Sequence, residues 1–241
     1  MLLLALALAP GIAIMIYIYL KDRYNKEPIK NLAISFLLGV LSTIPAIIVS
    51  LALTAVLKKY LPETSVLYNL LLAFAVVGFS EEGSKFFMLR FYAFRKKAFD
   101  EPLDGIIYSV IVSMGFATLE NVLYVTEHGF ATAILRMFLS VPAHAAFGVL
   151  MGYHVGLARF DPSKRVSHLW KGLLLAVFFH GSFDFFLFLQ ESKEVTRYVS
   201  AGLLIMGALV SYFFAVRIAL RSIKMHQELS RIQASQQNDI T

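Results

Sequence analysis

Two adjacent glutamates and a lysine, Glu81, Glu82 and Lys85, interrupt the otherwise apolar segment VVGFSEEGSKFFMLRF at residues 76–91. A charge near the centre of a bilayer costs at least about 2.5 to 3.5 kcal/mol on insertion scales, so charged residues at that depth are few and mark function. One interpretation is that Lys85 forms a structural ion pair with Glu81 or Glu82, which merely lets the helix enter the membrane. Two carboxylates facing one ammonium, however, leave a surplus acid, which general acid–base chemistry needs.

Further polar residues lie at predicted membrane depth in the next three apolar segments: Glu120, Asn121, His144, His180 and Asp184. His180 and Asp184 are four residues apart, so the carboxylate can orient the imidazole from one helical turn away and fix its tautomer. Because the polar residues are confined to four consecutive segments, we predict that they share one interior site. Asn121 is expected to contribute packing and hydrogen bonding.

The composition places this site in a membrane protein. Of the 241 residues, 58% are hydrophobic and only 16% are charged, which is far from the usual balance of a soluble domain. Basic residues give a net charge of +6, but they occur in short runs between apolar segments. Such runs set topology and contact anionic lipid, so membrane lipid is the expected partner and nucleic acid is not. The chain has no cysteine, which excludes thiol chemistry.

Seven apolar segments are long enough to cross a bilayer, which predicts an all-α, polytopic membrane helical bundle. They are residues 2–20, 31–57, 66–90, 103–125, 132–158, 168–189 and 198–220. No basic residue precedes the first segment, so it reads as a retained anchor rather than a signal peptide. Residues 1–222 form the predicted seven-helix domain, and residues 223–241 a basic amphipathic to disordered cytoplasmic tail.

Lysines and arginines indicate the orientation of the bundle. Four fall in each of the segments 21–30, 90–97, 159–171 and the tail from residue 217, whereas only five lie on the opposite side. Because cytoplasmic loops carry the excess of basic residues, the N-terminus is predicted outside and the C-terminus in the cytoplasm.

Two packing features accompany the polar residues. His144 is followed at steps of four by Gly148, Gly152 and Gly156, and such a small-residue stripe lets a second helix approach closely. Asp104, at the start of the fourth span, is expected to be a helix N-terminal charge that complements the dipole.

The nucleophile follows by elimination. Ser84 adjoins Lys85, but neighbouring residues do not face each other on a helix. Asp184 is the one aspartate at membrane depth, so an aspartyl pair is missing. Water remains, activated either by a glutamate or by zinc held by His144, His180 and one of Glu81, Glu82 or Glu120. Both routes lead to hydrolysis.

Five ordered motifs resemble the PrsW family of intramembrane proteases, which is distantly related to the type II CaaX prenyl endopeptidases. They are EEGSKFF, EPLDGIIY, GFATLENVLY, VPAHAAFGVLMGY and HGSFDFF, within residues 22–214. Ser109 and Ser113 stand where many members have glycines. The resemblance implies an endopeptidase whose paired glutamates and histidines carry catalysis. It also implies a substrate of the anti-sigma factor type, anchored in the membrane, whose first cleavage releases a stress response.

The sequence therefore predicts a multi-pass protease of the cell membrane that cuts a single-pass membrane protein. The predicted catalytic residues are Glu81, Glu82, His144 and His180, and the supporting residues are Lys85, Glu120, Asn121 and Asp184. One glutamate acts as base on water, and the histidines stabilise the oxyanion or protonate the leaving amine.

No metal is predicted, because the HExxH pattern is absent and Lys85 would repel a dication. A proton-coupled transporter or channel using the same residues as a relay is the alternative function. A third alternative is a scaffold that binds transmembrane partners through the glycine stripe, which leaves the paired glutamates unexplained.

The predicted orientation is tested by a cysteine at Ala98, beside the basic cluster of residues 95–97. An impermeant thiol reagent should leave this cysteine unlabelled in intact cells and label it after permeabilisation. The native chain has no thiol of its own, so the background is low. Labelling in intact cells would contradict the assigned topology.

Overall fold

The computed structural model describes residues 2–238, with side chains described to residue 236, and this part of the chain is helical without β-strands. The α-helices are α1 (Leu2–Lys21), α2 (Ile29–Tyr60), α3 (Val66–Leu71), α4 (Phe79–Phe91), α5 (Pro102–Phe138), α6 (Ser140–Phe160), α7 (Arg165–Phe188), α8 (Lys193–Thr196) and α9 (Ala201–Asn238). The predicted all-α, polytopic membrane bundle is confirmed. The orientation of its termini stays a prediction.

Within the described residues, six helical stretches are long and apolar enough to cross a membrane, compared with seven predicted segments. The difference arises because the fourth and fifth predicted segments belong to one stretch of 59 residues, Pro102–Phe160. At about 1.5 Å per residue a straight helix of that length would be far longer than a bilayer is thick. The stretch instead changes direction at Gly129 and again at Leu139, so that α5 and α6 pack against each other.

Gly129 divides α5 into an inner limb, residues 102–128, and an outer limb, residues 130–138. Its φ of 79° lies in the left-handed region, which favours glycine because it has no Cβ. The outer limb folds back, so that Ala133 packs with Val125 of the inner limb and Ala7 of α1 in a small apolar cluster.

The third predicted segment is not a uniform α-helix. α3 continues into a π-helical segment, Leu72–Gly78, which packs against α7 and leads directly into α4. The wider turn of a π-helix accommodates an extra residue, and short π-helical stretches frequently lie at functional sites. Glu81 and Glu82 follow immediately, in the first turn of α4.

The glycine stripe of α6 makes the close helix contact that its spacing predicts, and the neighbour is the inner limb of α5. Gly152 faces Gly105 so closely that a Cβ on either residue would overlap the backbone of the other helix. Gly148 lies against Ser113, whose hydroxyl is buried, so serines are accommodated in this contact as well. The close approach fixes His144, one turn before Gly148, relative to α5.

The predicted cytoplasmic end of the bundle contains buried carboxylates in the loop before α2 and in the first turn of α5. Asp104 accepts hydrogen bonds from the backbone N–H groups of Asp100 and Glu101, each at 2.8 Å, which agrees with its predicted position at a helix N-terminus. Glu27 accepts a hydrogen bond from the Tyr108 hydroxyl, and burial raises the pKa of Glu27 to about 7. The Glu27–Tyr108 contact holds the α1–α2 connection against α5.

α9 continues past the membrane-spanning part of the chain to Asn238. His226 and Ser230 are buried, and Gln227 donates a 2.8 Å hydrogen bond to the carbonyl of Lys21. The described part of the predicted tail is therefore helical and docked on the bundle. The division at residue 222 and the predicted change from amphipathic helix to disorder along residues 223–241 stay predictions, and residues 239–241 lie outside the described residues.

Gly152→Ala should lower the thermal stability of the purified protein in detergent, because the new methyl group overlaps the carbonyl of Gly105. Overpacking of this kind costs about 1 to 3 kcal/mol. Gly202→Ala is the matched control, since a Cβ there would lie 4.0 Å from its nearest neighbour, the Ser200 hydroxyl. An unchanged melting temperature for Gly152→Ala would contradict the close contact between α5 and α6.

Candidate active site

The ammonium group of Lys85 lies at the centre of a buried charged cluster. Its Nζ donates a 2.8 Å hydrogen bond to Glu82 and lies 3.4 Å from Glu81. The ring of Phe116 covers the ammonium, with Nζ 4.0 Å from the ring centroid. α4 positions all three charged residues, because spacings of three and four residues bring side chains to one face of a helix. The predicted pairing within this helix is thus present.

His180 of α7 lies between two carboxylates. Its Nδ1 is 2.8 Å from Glu82 Oε1, and its Nε2 is 3.2 Å from Asp184 Oδ2, one turn along the same helix. The ring of Phe147 stacks on the imidazole at a centroid distance of 5.1 Å. The predicted His180–Asp184 contact is present, and Glu82 provides a second contact from α4.

The neighbours of His144 determine its tautomer. Lys85 Nζ lies 3.1 Å from Nδ1 of the ring, and because an ammonium group only donates hydrogen bonds, Nδ1 accepts. The remaining nitrogen, Nε2, then carries the proton and donates to Glu120 at 2.9 Å. Helical rise alone would place Glu120 one to two turns away from the histidines, yet the two side chains are in direct contact.

Arg136 is the residue of this cluster that the sequence analysis missed. Its Nη2 lies 2.8 Å from Glu120, and its Nε donates a 2.9 Å hydrogen bond to Asn121. The topology count placed Arg136 among the five basic residues on the side opposite the cytoplasm and gave it no further role. One signal was overlooked: Arg136 is the sole charged residue between Glu127 and Arg159, within an apolar segment. The turn at Gly129 brings it back to the inner limb of α5.

All of the predicted site residues thus belong to one connected group. Asn121 lies at its edge, where its amide also donates a 2.8 Å hydrogen bond to the carbonyl of Ala7. Four carboxylates, two permanent cations and two imidazoles are in contact within an apolar surrounding. Their assigned catalytic and supporting roles stay predictions.

A cavity of about 600 Å³ reaches this group. Glu81, Glu120, His144, His180 and Asp184 line its polar wall, and apolar side chains from α2, α5, α7 and α9 line the remainder. Glu82 is not part of the wall, since its side chain is fully buried at 0% exposure, whereas that of Glu81 is 14% exposed. The two adjacent glutamates therefore differ in their access to the cavity.

Four of these residues have the donor types of a metal site. Glu81, Glu82, His144 and His180 each offer one ligand atom, and these atoms lie within 4.8 Å of one another. Two carboxylates and two imidazoles suit zinc. The Lys85 ammonium binds Glu82 and His144 of the same set, so a dication and this lysine would compete for the same donor atoms.

Comparison with known proteins gives a consistent result. A family model described as PrsW family intramembrane metalloprotease matches residues 27–221. Protease PrsW of Geobacillus kaustophilus (strain HTA426) is 41% identical over 189 residues, covering 78% of this chain and 81% of that protein. Protease PrsW of Bacillus subtilis (strain 168) is 41% identical over 186 residues, with coverages of 77% and 82%.

A third relative matches along almost its whole length. Protease PrsW of Halalkalibacterium halodurans (strain ATCC BAA-125 / DSM 18197 / FERM 7344 / JCM 9153 / C-125) is 37% identical over 229 residues, covering 95% of this chain and 99% of that protein. No solved structure matches the chain significantly.

Proposed function

Because the chain belongs to the PrsW family and is a multi-pass membrane protease, we propose that it hydrolyses a peptide bond of a membrane-anchored protein inside the bilayer, with Glu81 as the general base. The observation that carries this proposal is the contact of Glu81, His144 and His180 with one apolar-walled cavity. A base must lie within hydrogen-bond reach of the proton that it abstracts, which requires access to the bound water.

The different surroundings of the two glutamates support Glu81 as the base. Glu82 accepts from Lys85 and lies against His180, and it is buried behind the cavity wall. Glu81 faces the cavity, and its contact with Lys85 is the longer one at 3.4 Å. Glu82 therefore positions Lys85 and His180, while Glu81 retains an oxygen for water.

The reaction then proceeds in two steps. Glu81 takes a proton from water as the water oxygen attacks the carbonyl carbon, and the carbonyl oxygen becomes an oxyanion. The tetrahedral intermediate collapses with cleavage of the C–N bond, and the proton held by Glu81 passes to the leaving nitrogen. In this structure the Nε2–H of His144 is directed at Glu120, and both ring nitrogens of His180 contact carboxylates. The proposed mechanism therefore requires one of these N–H groups to transfer its hydrogen bond from the carboxylate to the oxyanion as it forms, and a single such donor is worth about 2.7 to 4 kcal/mol in a pre-organised site.

The cavity favours a substrate that arrives within the membrane. Its walls away from the charged group are apolar, including Ile47, Leu51 and Leu209. A single-pass membrane protein presents an apolar helix to such a surface, and local unwinding would expose a peptide bond to Glu81. By the family resemblance, we take a membrane-anchored anti-sigma factor as the type of substrate and the cell membrane as the location.

The proposed reaction needs no stoichiometric metal. Zinc on Glu81, Glu82, His144 and His180 would supply a Lewis acid and a more acidic bound water. The family model's description favours this route. Lys85 opposes it, because its ammonium already neutralises the carboxylates and lies 3.1 Å from His144 Nδ1. With Lys85 in this position, the chain itself supplies the positive charge.

Glu81→Gln should reduce cleavage of a single-pass membrane substrate on the order of a hundred- to ten-thousandfold, because general base catalysis is worth about that factor. Its thermal stability should stay near that of the wild type. Glu82→Gln should lower both activity and stability, since it removes the charge paired with buried Lys85. Exposed Glu63→Gln is the matched control and should cleave normally. If Glu81→Gln cleaves the substrate as fast as the wild type does, Glu81 is not the base.

Cleavage by the purified protein should survive treatment with a strong chelator, and elemental analysis should find no stoichiometric metal. The physical reason is the competition between Lys85 and a dication for Glu82 and His144. The opposite result would be about one zinc per chain, lost together with activity on chelation and restored with it. That outcome would make His144 and His180 metal ligands rather than oxyanion donors.

A further inference from the structure

Arg136 has no function in the proposed reaction so far, although it closes one end of the charged group. It is the one residue of the group that comes from the outer limb of α5, across the turn at Gly129. Its side chain is 13% exposed and forms part of the cavity wall, and its guanidinium lies 4.2 Å from the ring centroid of Tyr124. The Arg136 side chain is therefore held by Glu120, Asn121 and Tyr124.

The contacts of Arg136 lead directly to a catalytic histidine. Nη2 lies 2.8 Å from Glu120 Oε2, and the same oxygen accepts from His144 Nε2 at 2.9 Å. Nε is fixed by the 2.9 Å hydrogen bond to Asn121, which is itself anchored to the backbone of α1. The guanidinium is thus held by one hydrogen bond at Nε and by an ion pair at Nη2, and the ion pair attracts the Glu120 carboxylate toward Arg136.

The position of Glu120 in turn determines the tautomer and the orientation of the His144 ring. With Glu120 accepting from Nε2, the ring presents Nδ1 to Lys85 as an acceptor. A hydrogen-bond partner on one imidazole nitrogen selects the tautomer and orientation of the whole ring. If Glu120 moved away, Nε2 would lose its acceptor and the ring would be free to turn or exchange tautomers.

We propose that Arg136 is a positioning residue for the proteolytic reaction, which acts through Glu120 to hold His144 as its Nε2–H tautomer with Nδ1 toward Lys85. This inference rests on the proposed function for its catalytic consequence. Its structural part, the link from Arg136 to the His144 ring, is independent of proteolysis. Among the described residues Arg136 pairs with Glu120, whereas the ion pairs of Glu81 are with Lys85 and His180, so Arg136 acts on the reaction through Glu120 and His144.

The kinetic test uses a single-pass membrane protein that the wild type cleaves and Glu81→Gln leaves intact. Arg136→Gln should lower kcat on the order of ten- to a hundredfold with KM little changed, as expected for a misplaced catalytic group. Arg136→Lys keeps a cation for Glu120 and should recover most of that loss. The matched control is Arg197→Gln, which removes an exposed cation at the same end of the bundle and should cleave like the wild type.

A spectroscopic test separates this inference from the proposed function. The chain has six histidines, so ring-¹⁵N-labelled protein in detergent gives a simple spectrum, with the His144 signals assigned by their loss in His144→Gln. The wild type should show His144 as a neutral ring with the proton on Nε2. Arg136→Gln should lose that signature and Arg136→Lys should retain it, whether or not a substrate is known.

Wild-type His144 signals in Arg136→Gln, or equal loss of kcat in the Lys and Gln variants, would overturn the assignment. Arg136 would then only stabilise the packing of the outer limb of α5 against the inner limb. The proposed function fails if no membrane protein can be found that the wild type cleaves and Glu81→Gln leaves intact. In that case the His144 ring signals still decide the role of Arg136.

Discussion

The positive charge of Lys85 is the constraint on which the rest of the site depends. An isolated carboxylate inside a bilayer is strongly disfavoured, and here Glu81, Glu82 and Glu120 come close together. Lys85 contacts Glu82 and His144 directly, and its ammonium is enclosed by the face of Phe116. Without that cation the carboxylates would repel one another in a surrounding of low dielectric constant. The arrangement thus keeps one acid accessible to the cavity while its neighbour stays buried.

Much of the site could be predicted from the sequence because it depends on short spacings along single helices. The contacts of Lys85 with the glutamates and of His180 with Asp184 follow from helical geometry alone. The glycine stripe correctly predicted a close helix contact, but the sequence did not identify α5 as the neighbour. The family assignment followed from several motifs in a fixed order along the chain. Such an ordered set is far more specific than any single motif.

The remainder depends on tertiary structure that periodicity does not encode. Arg136 joins the site through the turn at Gly129, and a single glycine in an apolar segment does not reveal that a helix folds back. The unequal access of Glu81 and Glu82 depends on how α4 is rotated toward α7, which the pair itself cannot show. The same turn explains why the fourth and fifth predicted segments form one helical stretch, and why distances estimated from rise per residue separated Glu120 from His144.

The π-helical segment Leu72–Gly78 has a consequence for any comparison of helix faces in this family. A helical wheel drawn at constant pitch through residues 66–91 assumes that each residue advances by the same angle, and that assumption fails across these seven residues. The faces of α3 and α4 are consequently out of phase, and Tyr68 or Asn69 cannot be used to infer which way Glu81 points. The segment therefore changes the rotational register of α4 relative to α3. Related chains that differ there by a single inserted or deleted residue would keep the same motif while turning it toward a different neighbour.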